Sequence, residues 1–275
     1  MNVRVGDVSL YYETAGQGPP CVLVHGGPGV GHPGRLTQYA PLGDLVQLIA
    51  YDHRGHGRSS KAPEETYTQE QLARDLHGLC GALGIDRPIL LGASAGGFIS
   101  LLYATAHPAS PRALILVGTS PSKAFMPRAT ANMERLGTPQ MRDAYRRLWD
   151  GSIGDPAEFQ RAFETIQPMY YHDKRRTPAS LAGRDFDPVT RRALIRDYER
   201  YDVRDGLGRI RVPTWVGVGR HDWICPVPES EEIARRIPGA ELHVFEQSGH
   251  SPQAEETAAF TESVRAFLNR VLTAS

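Results

Sequence analysis

The chain has 275 residues, and 31 lysines and arginines balance 31 aspartates and glutamates; apolar residues make up 40% and charged residues 23%. This content fits a soluble globular protein of one or two domains and excludes a disordered or fibrous chain. A net charge of zero gives no electrostatic footprint for nucleic acid or an anionic membrane, and no apolar run approaches the ~20 residues that cross a bilayer. Residues 1–7 lack the apolar stretch of a signal peptide, and Cys21, Cys80 and Cys225 are few and widely spaced. The expectation is therefore a cytoplasmic protein with neither a disulfide framework nor a metal site.

In chain order, Val3–Val5 and Val8–Glu13 read as a hairpin around Gly6-Asp7, and Cys21–His25 and Val46–Asp52 as buried strands. Thr68-x-x-Gln71 opens a helix whose apolar face is Leu72, Leu76, Leu79 and Leu83. Pro88–Leu91 reads as a strand, Ala95–His107 as a helix stopped by Pro108, and Arg112–Gly118 as another strand. The next strand, Val212–Gly219, comes only after a long interval. Glu241–Glu246 and a helix from about Ala254 to Leu272 close the chain. Strands alternating with helices predict an α/β fold around a mostly parallel sheet.

The interval is helical in pattern. Asp155-Pro156-x-Glu158 and Asp187-Pro188 are start signals, and apolar stripes follow at helical spacing: Phe159, Phe163 and Ile166, then Leu194, Tyr198 and Tyr201. Met141, Ala144, Tyr145, Leu148 and Trp149 form a third. The expected organisation is a core of residues 1–120 and 206–275, with residues 121–205 inserted as a helical lid that shapes a pocket and excludes water.

Gly92-Ala93-Ser94-Ala95-Gly96 lies between a predicted strand and a predicted helix. That context makes the G-x-S-x-G pattern a nucleophile elbow, since small flanking residues let the chain turn sharply and lift the serine hydroxyl. A serine hydroxyl needs a base, and the base an orienting group. Asp222 in Gly219-Arg220-His221-Asp222 and His250 in Ser248-Gly249-His250 each follow a strand, in the order Ser, Asp, His. Ser94 is thus the expected nucleophile, His250 the general base and acid, and Asp222 its orienting partner. His25-Gly26-Gly27-Pro28-Gly29 follows a strand too, and can turn a backbone N–H towards an oxyanion. Gly27, with Gly26 as the alternative, is expected to share that task with Ala95. Trp149, Phe163, Tyr170 and Trp223 are expected substrate contacts. In Asp52-His53-Arg54-Gly55-His56, Asp52 and Arg54 read as loop-pinning residues, and His53 and His56 lack the cluster at ligand spacing that a metal site needs.

HGGPG at 25–29, DHRGHGRS at 52–59, GASAG at 92–96, GRHD at 219–222 and SGH at 248–250 together resemble the α/β-hydrolase superfamily, and within it the proline iminopeptidase-like branch. The resemblance implies a cofactor-free serine hydrolase that cleaves a small amide, ester or short peptide through an acyl-enzyme. A carboxylesterase or lactonase is the alternative; a lyase, a perhydrolase or a receptor with an idle triad stands further off. Two departures from the branch matter. Ala95 stands where its members carry tryptophan, and the E-N-H-Y-F lid segment that grips a substrate amine is missing, leaving Glu164 and Glu199 as ordinary acidic residues on lid helices.

Overall fold

The computed structural model describes residues 1–31, 33–179, 181 and 183–273. Two strands, β1 (Asn2–Val5) and β2 (Val8–Ala15), form the expected hairpin, with Gly6 at φ +54° in the turn. The later strands are β3 (Pro20–Val24), β4 (Gln47–Tyr51), β5 (Ile89–Ala93), β6 (Ala113–Val117), β7 (Thr214–Gly219) and β8 (Glu241–Phe245). All eight join one sheet in the order β1-β2-β4-β3-β5-β6-β7-β8. The pairings β1–β2 and β2–β4 are antiparallel and the rest parallel.

The short apolar runs are explained by burial on both faces. Val22, Val24, Leu90, Leu114, Leu116 and Val216 point to one side, where α2 (Gln69–Ala82) and α3 (Ala95–Ala106) pack. Their neighbours Cys21, Leu23, Ile89, Leu91, Ile115 and Trp215 point to the other, against α1 (Arg35–Tyr39) and the carboxyl-terminal helix. A strand alternates its side chains between faces, so two apolar layers leave no polar position in the run. Thr68 caps α2 by accepting from the Gln71 amide at 3.1 Å, but Gln71 turns its own side chain to Asp75 at 2.9 Å. The reciprocal bond of a capping box, from Thr68 N–H to the Gln71 side chain, is therefore not made, and that amide donates to Thr66 O at 3.0 Å instead.

Between β6 and β7 come α4 (Phe125–Leu136), α5 (Pro139–Asp150), α6 (Pro156–Ile166), α7 (Pro188–Asp197) and α8 (Arg204–Leu207). The chain enters and leaves this insert side by side: Lys123 N–H donates to Tyr201 O and Val203 N–H to Pro121 O, each at 2.9 Å. Asp155 caps α6 and Asp187 caps α7 through their carboxylates. α9 (Val227–Arg236) follows β7, and only Val227 and Ile233 are buried apolar side chains on it, too sparse a stripe to mark it in the sequence. The last helix is split into α10 (Pro252–Glu255) and α11 (Thr257–Thr273). Glu256 breaks it, because its carboxylate accepts from Ser248 Oγ at 2.6 Å and Gln247 N–H at 2.9 Å.

Candidate active site

In the parallel part of the sheet, from β4 through β8, the strands all run towards the same edge, so the loops after β3, β5, β7 and β8 share one end of the molecule. Ser94 is the single residue between β5 and α3. It has φ +55°, the one non-glycine residue with positive φ among those described. Such a conformation costs about 1–3 kcal/mol and persists only where the surroundings over-determine it. Here they do. The Ser94 N–H donates to Val117 O at 2.9 Å, and Ser94 O accepts from the Gly97 N–H and Thr119 Oγ1, both at 2.8 Å. A Cβ on Gly96 would overlap Val24 O, and one on Gly92 would lie 2.6 Å from Gly96 O. Both glycines are thus needed for close approach, and they leave Ser94 half-exposed amid buried neighbours.

His250 and Asp222 meet across the loops after β8 and β7, with Nδ1 2.7 Å from Asp222 Oδ2. The other Asp222 oxygen accepts from the Ile224 and Cys225 amides, both at 2.9 Å. With the carboxylate accepting a hydrogen bond from Nδ1–H, the tautomer is fixed and Nε2 is the ring nitrogen left over for other partners. Gly118, at φ +51°, follows β6 next to this pair; a Cβ there would stand 3.1 Å from Asp222 Oδ2 and 3.2 Å from His250 Nδ1. The His250 amide donates to Tyr170 O at 2.9 Å, so the insert rests directly on the histidine loop. Glu255 fastens the same junction. Its buried carboxylate accepts from Gly249 N–H at 2.6 Å and from the His172 and Asp173 amides at 2.7 and 3.0 Å. Neither Gly118 nor Glu255 stands out in the sequence.

The loop after β3 covers the elbow. A Cβ on Gly26 would lie 2.8 Å from Ser94 Cβ and 3.2 Å from the Ala95 amide nitrogen, which places that glycine against the turn. Gly27 follows at φ +71°. Two buried histidines brace the loop. Gly29 N–H donates to His56 Nε2 at 2.9 Å, and His53 N–H to His25 Nε2 at 3.2 Å. Both rings accept at Nε2, and burial holds both below the usual histidine range, so both are neutral. Arg54, nearly inaccessible, pairs with Asp75 at 2.5 Å and Asp7 at 3.0 Å, pinning its loop to α2 and the first hairpin.

The family model for the alpha/beta hydrolase fold matches residues 19–257. The chain belongs to the α/β-hydrolase family. It falls in the proline iminopeptidase-like branch: it is 30% identical to the proline iminopeptidase PfmaB of Pestalotiopsis fici over 98% of this chain and 99% of that protein. Among solved structures, it resembles an alpha/beta fold family hydrolase from Bacillus anthracis str. Sterne, at TM-score 0.81 and 25% identity over 98% of both chains. The esterase EaEST of Exiguobacterium antarcticum matches at TM-score 0.78 and 25% identity, also over 98% of both chains.

In this α/β hydrolase Ser94 and His250 open on one cavity of about 350 Å³, with Gly26 and Gly27 also in its wall. The insert supplies Trp149, Phe163 and Tyr170 to the lining, and the core supplies Phe98. Trp223 is not part of it. That ring is 1% exposed and packs edge-on against Tyr145 and Tyr170, so it backs the wall instead of facing the cavity. Ala95 is buried behind Ser94 and contributes only its backbone position. Cys225 lines the cavity, but burial and the nearby Asp222 carboxylate push its thiol well above the usual range, so it stays protonated and is no rival nucleophile. His221 stacks on His172 at 3.8 Å between ring centres and joins loop to insert. Among the described lining residues there is no aspartate or glutamate, whereas Arg35, Arg184 and Arg191 all contribute. No sequence motif singles out Arg191. Glu164 and Glu199 lie outside the cavity, the former accepting from Gln160 and the latter paired with Lys123.

Proposed function

We propose that this α/β hydrolase cleaves a small acyl substrate by serine catalysis, with Ser94, His250 and Asp222 as its triad. The observation that carries the reading is the shared cavity of a strained, half-exposed serine and a histidine whose Nδ1 is held by a buried carboxylate. Ser94 Oγ attacks the acyl carbon while His250 Nε2 takes its proton. The tetrahedral oxyanion is met by the backbone N–H groups of Ala95 and Gly27, one of which is worth about 2.7–4 kcal/mol of barrier. His250 then protonates the leaving group, and water activated by the same ring releases the acid. Asp222 fixes the tautomer and stabilises the imidazolium. Residues 1–120 and 206–275 act as the catalytic core and residues 121–205 as the lid. No cofactor takes part in this scheme.

The substrate is a small amide, ester or short peptide, as in the proline iminopeptidase-like branch. A second reading, an esterase or lactonase, is favoured by the lining. An ammonium group is costly to bury unpaired, and the described wall offers it no carboxylate. Labelling with a fluorophosphonate, run on wild type and Ser94→Ala, tests the mechanism: labelling lost in the variant is the expected result, and an unlabelled folded wild type would sink the proposal. Comparing prolyl p-nitroanilide with short p-nitrophenyl esters separates the two substrate readings.

A further inference from the structure

α7 presents its buried face through Arg191, Leu194 and Ile195, and Tyr198 just past its end continues the helical spacing of a core stripe. The first of these is a cation. Arg191 is 5% exposed, and its ring neighbours are Trp149 and Phe159, whose centres lie 4.7 and 5.1 Å from the guanidinium carbon. Its Nε donates to Leu148 O at 3.0 Å and its Nη1 to Pro28 O at 3.4 Å. Nη2 is buried with no hydrogen-bond partner, and the group faces the cavity shared by Ser94 and His250. Two carbonyls and two aromatic faces supply partial charge only. No carboxylate among the described residues pairs with it, and burial accordingly weakens its hold on the proton.

A purely structural strut accounts for part of this. Nε and Nη1 tie α7 to the end of α5 and to the Gly26–Gly29 loop, and Gly29 is glycine partly because a Cβ there would stand 2.7 Å from Arg191 Cβ. The strut leaves Nη2 and a whole buried charge without a counterpart, and unpaired buried charge is strongly disfavoured. Arg35 and Arg184 line the same cavity and add to its positive field. A planar guanidinium with a free edge matches a carboxylate.

We propose that Arg191 is the binding residue for a carboxylate carried by the substrate, so that the enzyme selects anionic acyl compounds such as half-esters of short dicarboxylic acids. This rests on the reading of Ser94 as nucleophile. The incoming carboxylate satisfies Nη2 and neutralises the buried charge, while the acyl carbon stands over Ser94.

The test compares four substrates: p-nitrophenyl hydrogen glutarate (carboxylate on the acyl side), 4-acetoxybenzoate (carboxylate on the leaving group), neutral p-nitrophenyl butyrate and cationic prolyl p-nitroanilide. Wild type should prefer one of the two anionic substrates over butyrate in kcat/KM, and which one locates the carboxylate. In Arg191→Met that preference should fall about ten- to a hundredfold, the worth of a hydrogen bond to a charged group, with Arg191→Lys retaining part of it. A strut alone would lower all four rates together and leave the ratios unmoved. A wild type that prefers butyrate or the prolyl amide overturns the proposal, whether or not the variants fold. If Ser94 proves inert, binding decides independently. Glutarate, but not its dimethyl ester, should raise the melting temperature of Ser94→Ala, and equal shifts from the two overturn the proposal while the mechanism fails separately.

Discussion

The cavity has two walls built on different principles. Its floor consists of loops at strand ends, held by backbone hydrogen bonds and glycines so tightly placed that Gly96 and Gly219 have no room for a Cβ. Its roof consists of helices whose aromatic rings meet at 5–6.5 Å, as in Phe159–Phe163 and Phe163–Tyr170, with Arg191 set among them. Backbone geometry is insensitive to most side-chain changes, so the floor keeps one chemistry. Side-chain packing is readily altered, so under the proposed function the roof selects which molecule receives that chemistry.

The sharpest way to break this division is at the floor. Ser94→Ala should cost roughly 10⁴–10⁶ in kcat against any substrate the roof admits. Asp222→Asn should cost about 10⁴, because an amide no longer enforces the Nδ1 proton that the carboxylate holds at 2.7 Å. Steady-state ester hydrolysis reads both, and near-normal turnover in either variant would remove the triad assignment.

Next comes the seam between the walls. Glu255→Gln replaces a carboxylate that accepts three amide hydrogens, from Gly249, His172 and Asp173, by a group with one acceptor oxygen. Losing one hydrogen bond to a charged group is worth about 1.5–3 kcal/mol. Urea unfolding should report that loss, and kcat should fall with it because the Gly249 amide precedes His250. A stable variant with reduced kcat would place the seam's role in catalysis alone.

A smaller effect follows from the neutral histidines under the Gly26–Gly29 loop. His25 and His56 sit below their ordinary value of 6.5 because burial penalises the charged form. The unfolded chain binds their protons first, so the stability they contribute is complete above pH 6.5 and is lost as pH falls below it. Each group adds a slope of up to about 1.4 kcal/mol per pH unit in that window. Unfolding curves between pH 7 and pH 5 check it; His56→Gln should flatten the slope by one group's share.

The floor was also the legible wall. Gly92-x-Ser94-x-Gly96, Asp222 and His250 could be read because each motif is local and each follows a strand, which fixes the end of the sheet where its side chain emerges. Gly118 was not legible, since its task is to leave room for an Asp–His contact made by two distant loops. In the insert, periodicity marked Phe159, Leu194 and Tyr198 as packed positions but could not say which stripe faces a cavity. Trp223 was misplaced for that reason: adjacency to Asp222 in sequence says nothing about which side of the wall a ring occupies. Arg191 had a usable signal, a charged residue at the buried position of the stripe Arg191, Leu194, Ile195 and Tyr198, obscured by Arg192 beside it. The split at Glu256 was hidden because its cause is a hydrogen bond to Ser248 in another loop.

Phe163→Ala, in the roof, gives the smallest expected effect and the finest test of the division. Phe163 lines the cavity against Phe186 and Tyr170 while remaining partly exposed, so its loss opens space without a deep core void. An apolar pocket discriminates by about 1–3 kcal/mol per methylene, so the change should shift the preferred acyl length upward and raise KM for the shortest ester by several-fold. Any loss in kcat should be smaller than the gain in KM, because Phe163 reaches the seam only through the Tyr170 ring, whereas the bond to His250 is made by the Tyr170 backbone carbonyl. Measuring p-nitrophenyl esters from acetate to octanoate reads both quantities. A uniform drop in kcat at every chain length would mean that roof packing also sets the floor's geometry, and the two walls would have to be treated as one.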